Sequence, residues 1–210
     1  MNLSDNENMQ RTSDDKQALR KSLRQQRNDL SSTLQQEKSA SIVLHISHSS
    51  AYVSAKHIAV YSPVQGEADP LPLAQLRSFA ANNNKQFYLP ILQGDNESLL
   101  FAPFSSESEF SENRFSIPEP VCNKDELITG DALDLVLMPL LGFDKQGNRL
   151  GMGGGFYDRT FEFLKKKTRK PLLIGVAYSF QEVASLKAEY WDVPLNYIAT
   201  ESHFISVRRA

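Results

Sequence analysis

The chain predicts an α/β fold: a single three-layer α/β/α domain with a mostly parallel central sheet. Three observations carry this. Short apolar stretches at 57–62, 86–91, 99–104, 133–140, 172–177 and 196–200 are interleaved with helical and loop segments, the alternation that builds parallel sheets with helices on both faces. The run Leu133-Asp-Leu-Val-Leu-Met-Pro-Leu140 is almost continuously apolar, which suits a strand covered on both sides. A Gly-rich loop then leads into a helical segment. At 210 residues the chain is long enough to bury one sizeable core without staples.

The elements follow in order. Residues 1–11 are rich in Asn, Asp and Ser and have little to bury, which predicts a disordered tail; 12–210 form the single domain. Ser13 is the expected cap of a first helix, with Asp14 and Asp15 at its positive end. Leu19, Leu23 and Leu30 share one face of that helix, and Arg20, Lys21, Arg24 and Arg27 are read on the opposite one. Ser32 and Gln35 have the spacing of a capping box for a second helix, through about His48. The strand at 57–62 stops at Pro63, and Val64-Gln-Gly-Glu67 forms a loop. A helix is expected from Leu71 to about Ala81, strands at 86–91 and 99–104, and a polar, irregular stretch at 105–128 that covers a site or an edge or is a plain surface excursion. After the strand at 133–140 come the Gly-rich loop, a helix from Phe156 to about Lys167, and strands at 172–177 and 196–200.

Composition narrows the chemistry. The formal net charge of -2 offers no bulk attraction for nucleic acid or a membrane surface, and no segment approaches the roughly 20 apolar residues of a membrane span. The polar N-terminus lacks the apolar stretch of a signal peptide. Cys122 is the only cysteine, so no internal disulfide forms, which fits a reducing compartment and predicts a cytoplasmic protein. Zinc sites built on several thiolates are excluded. His45 and His48 could share a helix face, but they read as surface rather than as a metal pair. A monomer is favoured, although the sequence does not determine the oligomeric state.

The most informative segment is Arg149-Leu-Gly-Met-Gly-Gly-Gly-Phe-Tyr157. Four of the ten glycines lie between Gly151 and Gly155. Between a strand and a helix, such a loop exposes backbone N–H groups and lets them approach a ligand closely, and the helix start favours negative charge. Polyphosphate is the expected guest; a purely structural tight turn is the alternative. No Gly-Lys-Ser/Thr follows, so it is not a P-loop, and Phe156 occupies the third glycine of the dinucleotide fingerprint. Arg149 offers a fork of donors to phosphate oxygens. Asp158 is a hard oxygen ligand for Mg²⁺, which commonly takes one or two carboxylates plus phosphate.

At these residues the chain resembles the 5-formyltetrahydrofolate cyclo-ligases, also called methenyltetrahydrofolate synthetases. The central match spans 139–159, including Phe143-Asp144, Gly147, Arg149-Leu-Gly151 and Gly153-Gly-Gly-Phe-Tyr-Asp158. Weaker matches are Lys16-Gln-Ala-Leu-Arg20, Tyr61 with Gly66-Glu67, and Asp192-Val-Pro194. The resemblance implies one α/β domain that converts 5-formyltetrahydrofolate to 5,10-methenyltetrahydrofolate while ATP becomes ADP and phosphate. It implies that Lys16, Arg20, Arg149, Leu150, Gly151, Met152, Gly153, Gly154, Gly155, Phe156 and Tyr157 contact ATP, with Arg149 and Tyr157 as catalytic groups. Asp158 and Asp192 would bind Mg²⁺. Ser62, Glu67 and residues 152–156 would contact the reduced folate. Met152 and Gly154 stand where some relatives carry basic residues, leaving more of the phosphate contact to backbone amides and Arg149. Phe156 replaces a tyrosine, so no hydroxyl acts there.

Read without the resemblance, Glu67 is equally a solvated loop acid, Lys16 and Arg20 a basic helix face one turn apart, and Asp192 the cap of a turn before Pro194. Trp191 reads as a core or pocket-wall residue. Two other functions share these residues: an ATP-dependent enzyme acting on another formamide or amide, and a non-catalytic module that binds a nucleotide or phosphate.

Overall fold

The computed structural model describes residues 3–75, 84–94, 97–166 and 171–207, with side chains from residue 15 onward. Its centre is a seven-stranded sheet. In chain order the strands are β1 (His57–Ala59), β2 (Gln86–Ile91), β3 (Leu100–Phe104), β6 (Leu135–Pro139), β9 (Leu172–Val176), β10 (Tyr197–Ala199) and β11 (Phe204–Ser206). Their spatial order is β11-β10-β9-β6-β1-β2-β3. The pairs from β10 through β2 are all parallel, and antiparallel β3 and β11 close the two edges. The α/β reading of the sequence holds.

The expected central strand is central. Leu135, Val136, Leu137 and Met138 are all buried, and the twofold period sends them to opposite faces. Leu135 and Leu137 pack with Ile42, Val43 and Ile46 of α2 (Ser32–Ser47), Tyr52 of α3 (Ser50–Ser54) and Leu73 of α4 (Pro72–Gln75). Val136 and Met138 pack with Phe161, Val193 and Leu195, flanked by Phe156 and Tyr157 of α5 (Phe156–Thr160).

Several boundaries differ from expectation. Helix α1 spans Leu3–Asn28, beginning well ahead of the Ser13 cap and inside the stretch read as a tail; once a turn exists, each further residue adds a hydrogen bond. The cap of α2 is Ser31, whose side chain accepts from the Leu34 amide, while Gln35 turns away to donate to the Leu30 carbonyl at 3.1 Å, so no capping box forms. The helix expected over 71–81 is seen as α4, and residues 76–83 lie outside the described part. The helix after the Gly-rich loop is not continuous. It stops at Phe161, which takes φ -108 and ψ 14, and a 3₁₀ turn (Glu162–Lys166) follows. The stretch 105–128 is more ordered than its composition suggested: it holds the hairpin β4 (Phe110–Glu112) and β5 (Pro118–Pro120). Glu119 pins the hairpin by accepting from Leu92 N at 3.0 Å and Asn113 Nδ2 at 2.7 Å.

The sheet order locates the site. From β1 the chain moves to β2 on one side, and later from β6 to β9 on the other. The reversal lies between β1 and β6, and crevices beyond the carboxyl ends of strands at such a point are where α/β sheets bind ligands. The loops leaving those two ends contain Ser62 and Glu67, and the Gly-rich stretch.

Candidate active site

The base of the Gly-rich loop is a small ribbon, β7 (Gly142–Phe143) paired antiparallel with β8 (Arg149–Leu150). Its turn is built on Asp144, which is fully buried. One carboxylate oxygen accepts from the Gln146 and Asn148 amides at 3.0 Å, and the other from Asn148 Nδ2 and the Leu186 amide at 2.9 Å. Gln181 adds a second anchor, its Nε2 donating to the Leu140 and Leu141 carbonyls at 2.9 and 3.0 Å. Beyond Leu150 the character changes. Met152, Gly153 and Gly154 are exposed, and among the described residues none of the amides from 151 to 155 donates to another backbone carbonyl. These are free donors on a fixed base.

Helix α1 lies across this loop because its apolar stripe docks there. Leu23 is buried against Leu150 and Leu186, with Leu19 and Val183 beside them. Gly142 allows the approach, since a Cβ there would lie 2.9 Å from Leu23 Cδ1. Docking brings the basic residues into place. Arg20 Nε donates to the Gly151 carbonyl at 2.9 Å, and Arg24 Nη2 reaches Met152 Sδ at 3.6 Å. Lys16 Nζ meets Glu189 Oε1 at 2.9 Å; that hydrogen bond first, and the Lys16 charge with it, holds the Glu189 carboxyl below its ordinary value. Lys16 and Arg20 therefore serve different segments, the 189–192 turn and the Gly-rich loop.

Arg149 and Asp158, expected to meet phosphate and metal, meet each other. Arg149 Nη2 contacts Asp158 Oδ1 at 2.5 Å, with side-chain exposures of 6% and 23%. Arg149 Nη1 donates to the Val193 carbonyl, and the Val193 amide donates to Asp158 Oδ1 at 2.9 Å. The result is a clasp joining β8, α5 and the segment after Asp192. Asp192 Oδ2 accepts from the Glu189 amide at 2.8 Å, the turn-capping geometry. Asp158 and Asp192 thus lie on adjoining segments. Among the described residues no three His, Cys, Asp or Glu side chains converge as a metal-ligating group. Two carboxylates sharing an ion with phosphate oxygens remain chemically suited to Mg²⁺. His45 Nδ1 lies 2.9 Å from the Thr200 carbonyl.

Across the cleft, Glu67 is not a solvated loop acid. Its side chain keeps 6% exposure. Oε2 accepts from the Val64 amide at 3.1 Å, and Oε1 faces Arg27 Nη1 at 3.4 Å. Burial pushes its carboxyl above the ordinary value, partly offset by the Arg27 charge. Tyr157 is close enough for the Glu67 charge to bear on it; burial first, then Glu67, drives its phenol far up, against a lowering by Arg149. Tyr157 consequently keeps its phenolic proton. Tyr61 is buried, its hydroxyl donating to the Ala68 carbonyl at 2.6 Å. Ser62 Oγ donates to the Pro118 carbonyl at 3.1 Å, so the hairpin β4–β5 reaches the cleft. Trp191 is neither core nor sealed wall: it is 49% exposed and edge-on to Tyr190.

The reading from sequence missed Asp144 as the loop's anchor, Glu189 as the partner of Lys16, and Arg27 as the partner of Glu67. Arg27 had a legible signal. It stands four residues after Leu23 and three before Leu30, within the buried stripe rather than on the solvated face.

Comparison with known proteins shows the family and agrees with the fold. The model of the 5-formyltetrahydrofolate cyclo-ligase family matches residues 12–201. The 5-formyltetrahydrofolate cyclo-ligase of Haemophilus influenzae is 37% identical over 181 residues, covering 86% of this chain and 94% of that protein. The Escherichia coli K12 protein of the same name is 35% identical, covering 86% and 97%. The solution structure of 5,10-methenyltetrahydrofolate synthetase from Aquifex aeolicus superimposes with a TM-score of 0.77 at 30% identity, covering 93% and 94% of the two chains.

Proposed function

The chain belongs to the 5-formyltetrahydrofolate cyclo-ligase family, and from that premise we infer that it converts 5-formyltetrahydrofolate to 5,10-methenyltetrahydrofolate at the expense of ATP. The observation that carries the reading is the docking of Arg20 onto the Gly151 carbonyl. It brings the basic helix against the loop of unpaired amides, across from the buried Glu67.

A formamide carbonyl is a poor electrophile. In the proposed reaction the formyl oxygen attacks the γ-phosphorus of ATP, the bond to ADP breaks, and the oxygen becomes part of a phosphate leaving group. The second folate nitrogen then attacks the formyl carbon and loses its proton. The C–O bond breaks and inorganic phosphate departs. No protein nucleophile is needed; phosphoryl transfer asks for positioning and charge neutralisation. The amides of 151–155 cradle the phosphates and Arg20 sets the loop's position. Lys16 and Arg149 supply positive charge nearby, Tyr157 supplies an O–H, and residues 150–156 form the wall. Glu67, with Ser62 and residues 152–156, receives the folate, the carboxylate accepting from N–H donors of the pterin ring. Asp158 and Asp192 would hold Mg²⁺, which neutralises polyphosphate charge when bound. The lone Cys122 and small net charge accord with a cytoplasmic protein, working as a monomer on small molecules rather than on nucleic acid. No described helix is long and apolar enough to cross a membrane.

The test follows absorbance of methenyltetrahydrofolate with 5-formyltetrahydrofolate, with and without Mg-ATP. Product formation coupled to ADP release only with Mg-ATP is the expected result. Binding of ATP without turnover would leave a nucleotide-binding module instead.

A further inference from the structure

Arg27 is the most buried large side chain with a full charge, at 1% exposure. Its interactions are few for that position. Nε donates to the Gln65 carbonyl at 2.9 Å, Nη1 makes the single 3.4 Å contact with Glu67, and Nη2 is buried with no acceptor among the described residues. A buried ion pair adds little to stability even when fully hydrogen-bonded, and an unsatisfied buried donor costs about 1–3 kcal/mol. Stability does not account for this arrangement.

Its geometry points elsewhere. The carbonyl that Arg27 holds belongs to a turn in which Gln65 has φ 50 and Gly66 has φ 75. For Gln65 this is an uncommon conformation that needs external support. The carboxylate it faces is the next residue but one. A single guanidinium on α1 thereby fixes both the backbone path and the side chain of the loop 64–67, from the same helix whose Arg20 fixes the Gly-rich loop. We propose that Arg27 is a positioning residue for the reduced-folate site, holding the Gln65–Gly66 turn and the Glu67 carboxylate in the arrangement that receives the pterin ring.

The inference rests on the assignment of Glu67 to the folate. The charged group that bears on Glu67 is Arg27 on α1, with Arg24 beside Arg27, and Glu67 in turn bears on Tyr61 after β1 and on Tyr157 of α5, which also feels Arg149. Arg27 and the hydrogen bond from the Val64 amide favour the carboxylate form, against the burial that raises Glu67. Without Arg27, Glu67 takes up its proton at higher pH, and the carboxylate form is confined to a more alkaline range.

The experiment measures kcat/KM for 5-formyltetrahydrofolate against pH, with KM for ATP alongside, in wild type, Arg27→Met, Arg27→Lys, Glu67→Gln and the double variant Arg27→Met/Glu67→Gln. Arg27→Met is expected to move the acid limb of the folate profile upward by roughly one to three pH units, to raise folate KM at neutral pH, and to leave KM for ATP near wild type. Arg27→Lys restores the limb, and in the Glu67→Gln background Arg27→Met produces no further shift of the limb. A pH-independent loss in Arg27→Met that affects both substrates overturns the proposal and leaves Arg27 a packing residue. If Arg27→Met does not fold, Arg27→Lys decides: it keeps the charge without the fork, so the proposal requires a raised folate KM with the wild-type limb, and unchanged kinetics overturn it. A failure of the underlying assignment has a separate signature: Glu67→Gln would then leave folate KM at the wild-type value.

Discussion

The two halves of the Gly-rich segment, 142–150 and 151–155, are built on opposite principles. In the first half nearly every polar group is used: Asp144 alone accepts four hydrogen bonds, and the Gly147 carbonyl accepts from Leu195. In the second half the amides are open and the surface is exposed. Gly147 and Gly151 differ in the same way. Gly147 has φ +81 and packs so closely that a Cβ would fall 2.8 Å from Val207 Cγ1, whereas a Cβ on Gly151 would meet nothing within 4 Å. Packing dictates glycine at 147 and not at 151. A rigid base with an open rim suits a site whose remaining contacts come from a ligand.

The comparison breaks most severely at Asp144. Asp144→Ala removes the acceptor of four donors, of which the Leu186 amide is buried, and at about 1–3 kcal/mol for each left unsatisfied the expected loss is about 2–4 kcal/mol, read by urea unfolding. A loss under about 1 kcal/mol would show that the base is not held by this carboxylate.

Next comes the clasp that joins β8 to α5 and the Val193 segment. Arg149→Ala is expected to lower turnover by about 10²–10³. Because Arg149 is nearly buried and paired rather than a free surface charge, it is also expected to lower stability by about 1–3 kcal/mol. Asp158→Asn preserves an acceptor for the Val193 amide and should move the Mg²⁺ requirement to higher concentration. A folded Arg149→Ala that turns over normally, or a wild-type Mg²⁺ curve in Asp158→Asn, would reduce the clasp to a structural latch.

The paired substitutions Gly147→Ala and Gly151→Ala sharpen the contrast at smaller scale. The first is expected to lose about 1–3 kcal/mol in a thermal melt with kinetics altered only through folding. The second is expected to keep the wild-type melt while KM for ATP rises several-fold. Identical behaviour of the two would erase the distinction between base and rim. The smallest effect is expected from deleting residues 1–11, which precede the family match at 12–201. Turnover and melting temperature should stay at the wild-type values, and a clear change in either would assign the start of α1 a part in the site.

By itself the sequence determined the α/β class, the central strand around Val136 and the Gly-rich loop that leads into α5. These are written in local terms: continuous apolar stretches, turn residues, and glycines clustered between a strand and a helix. It did not determine how the charges pair. Arg149 and Asp158 looked like separate ligands for phosphate and metal because their spacing along the chain says nothing of the Val193 segment that brings them together. Glu67 could also be read as a solvated loop acid because nothing in its own segment shields it, while the residue that does, Arg27, comes from a helix 40 positions earlier. The pattern of β3 and β11 predicted strands or nothing, but their antiparallel direction follows from chain return across the sheet edges. Burial and pairing of charge depend on which surfaces the fold presses together, so only the tertiary structure decided them.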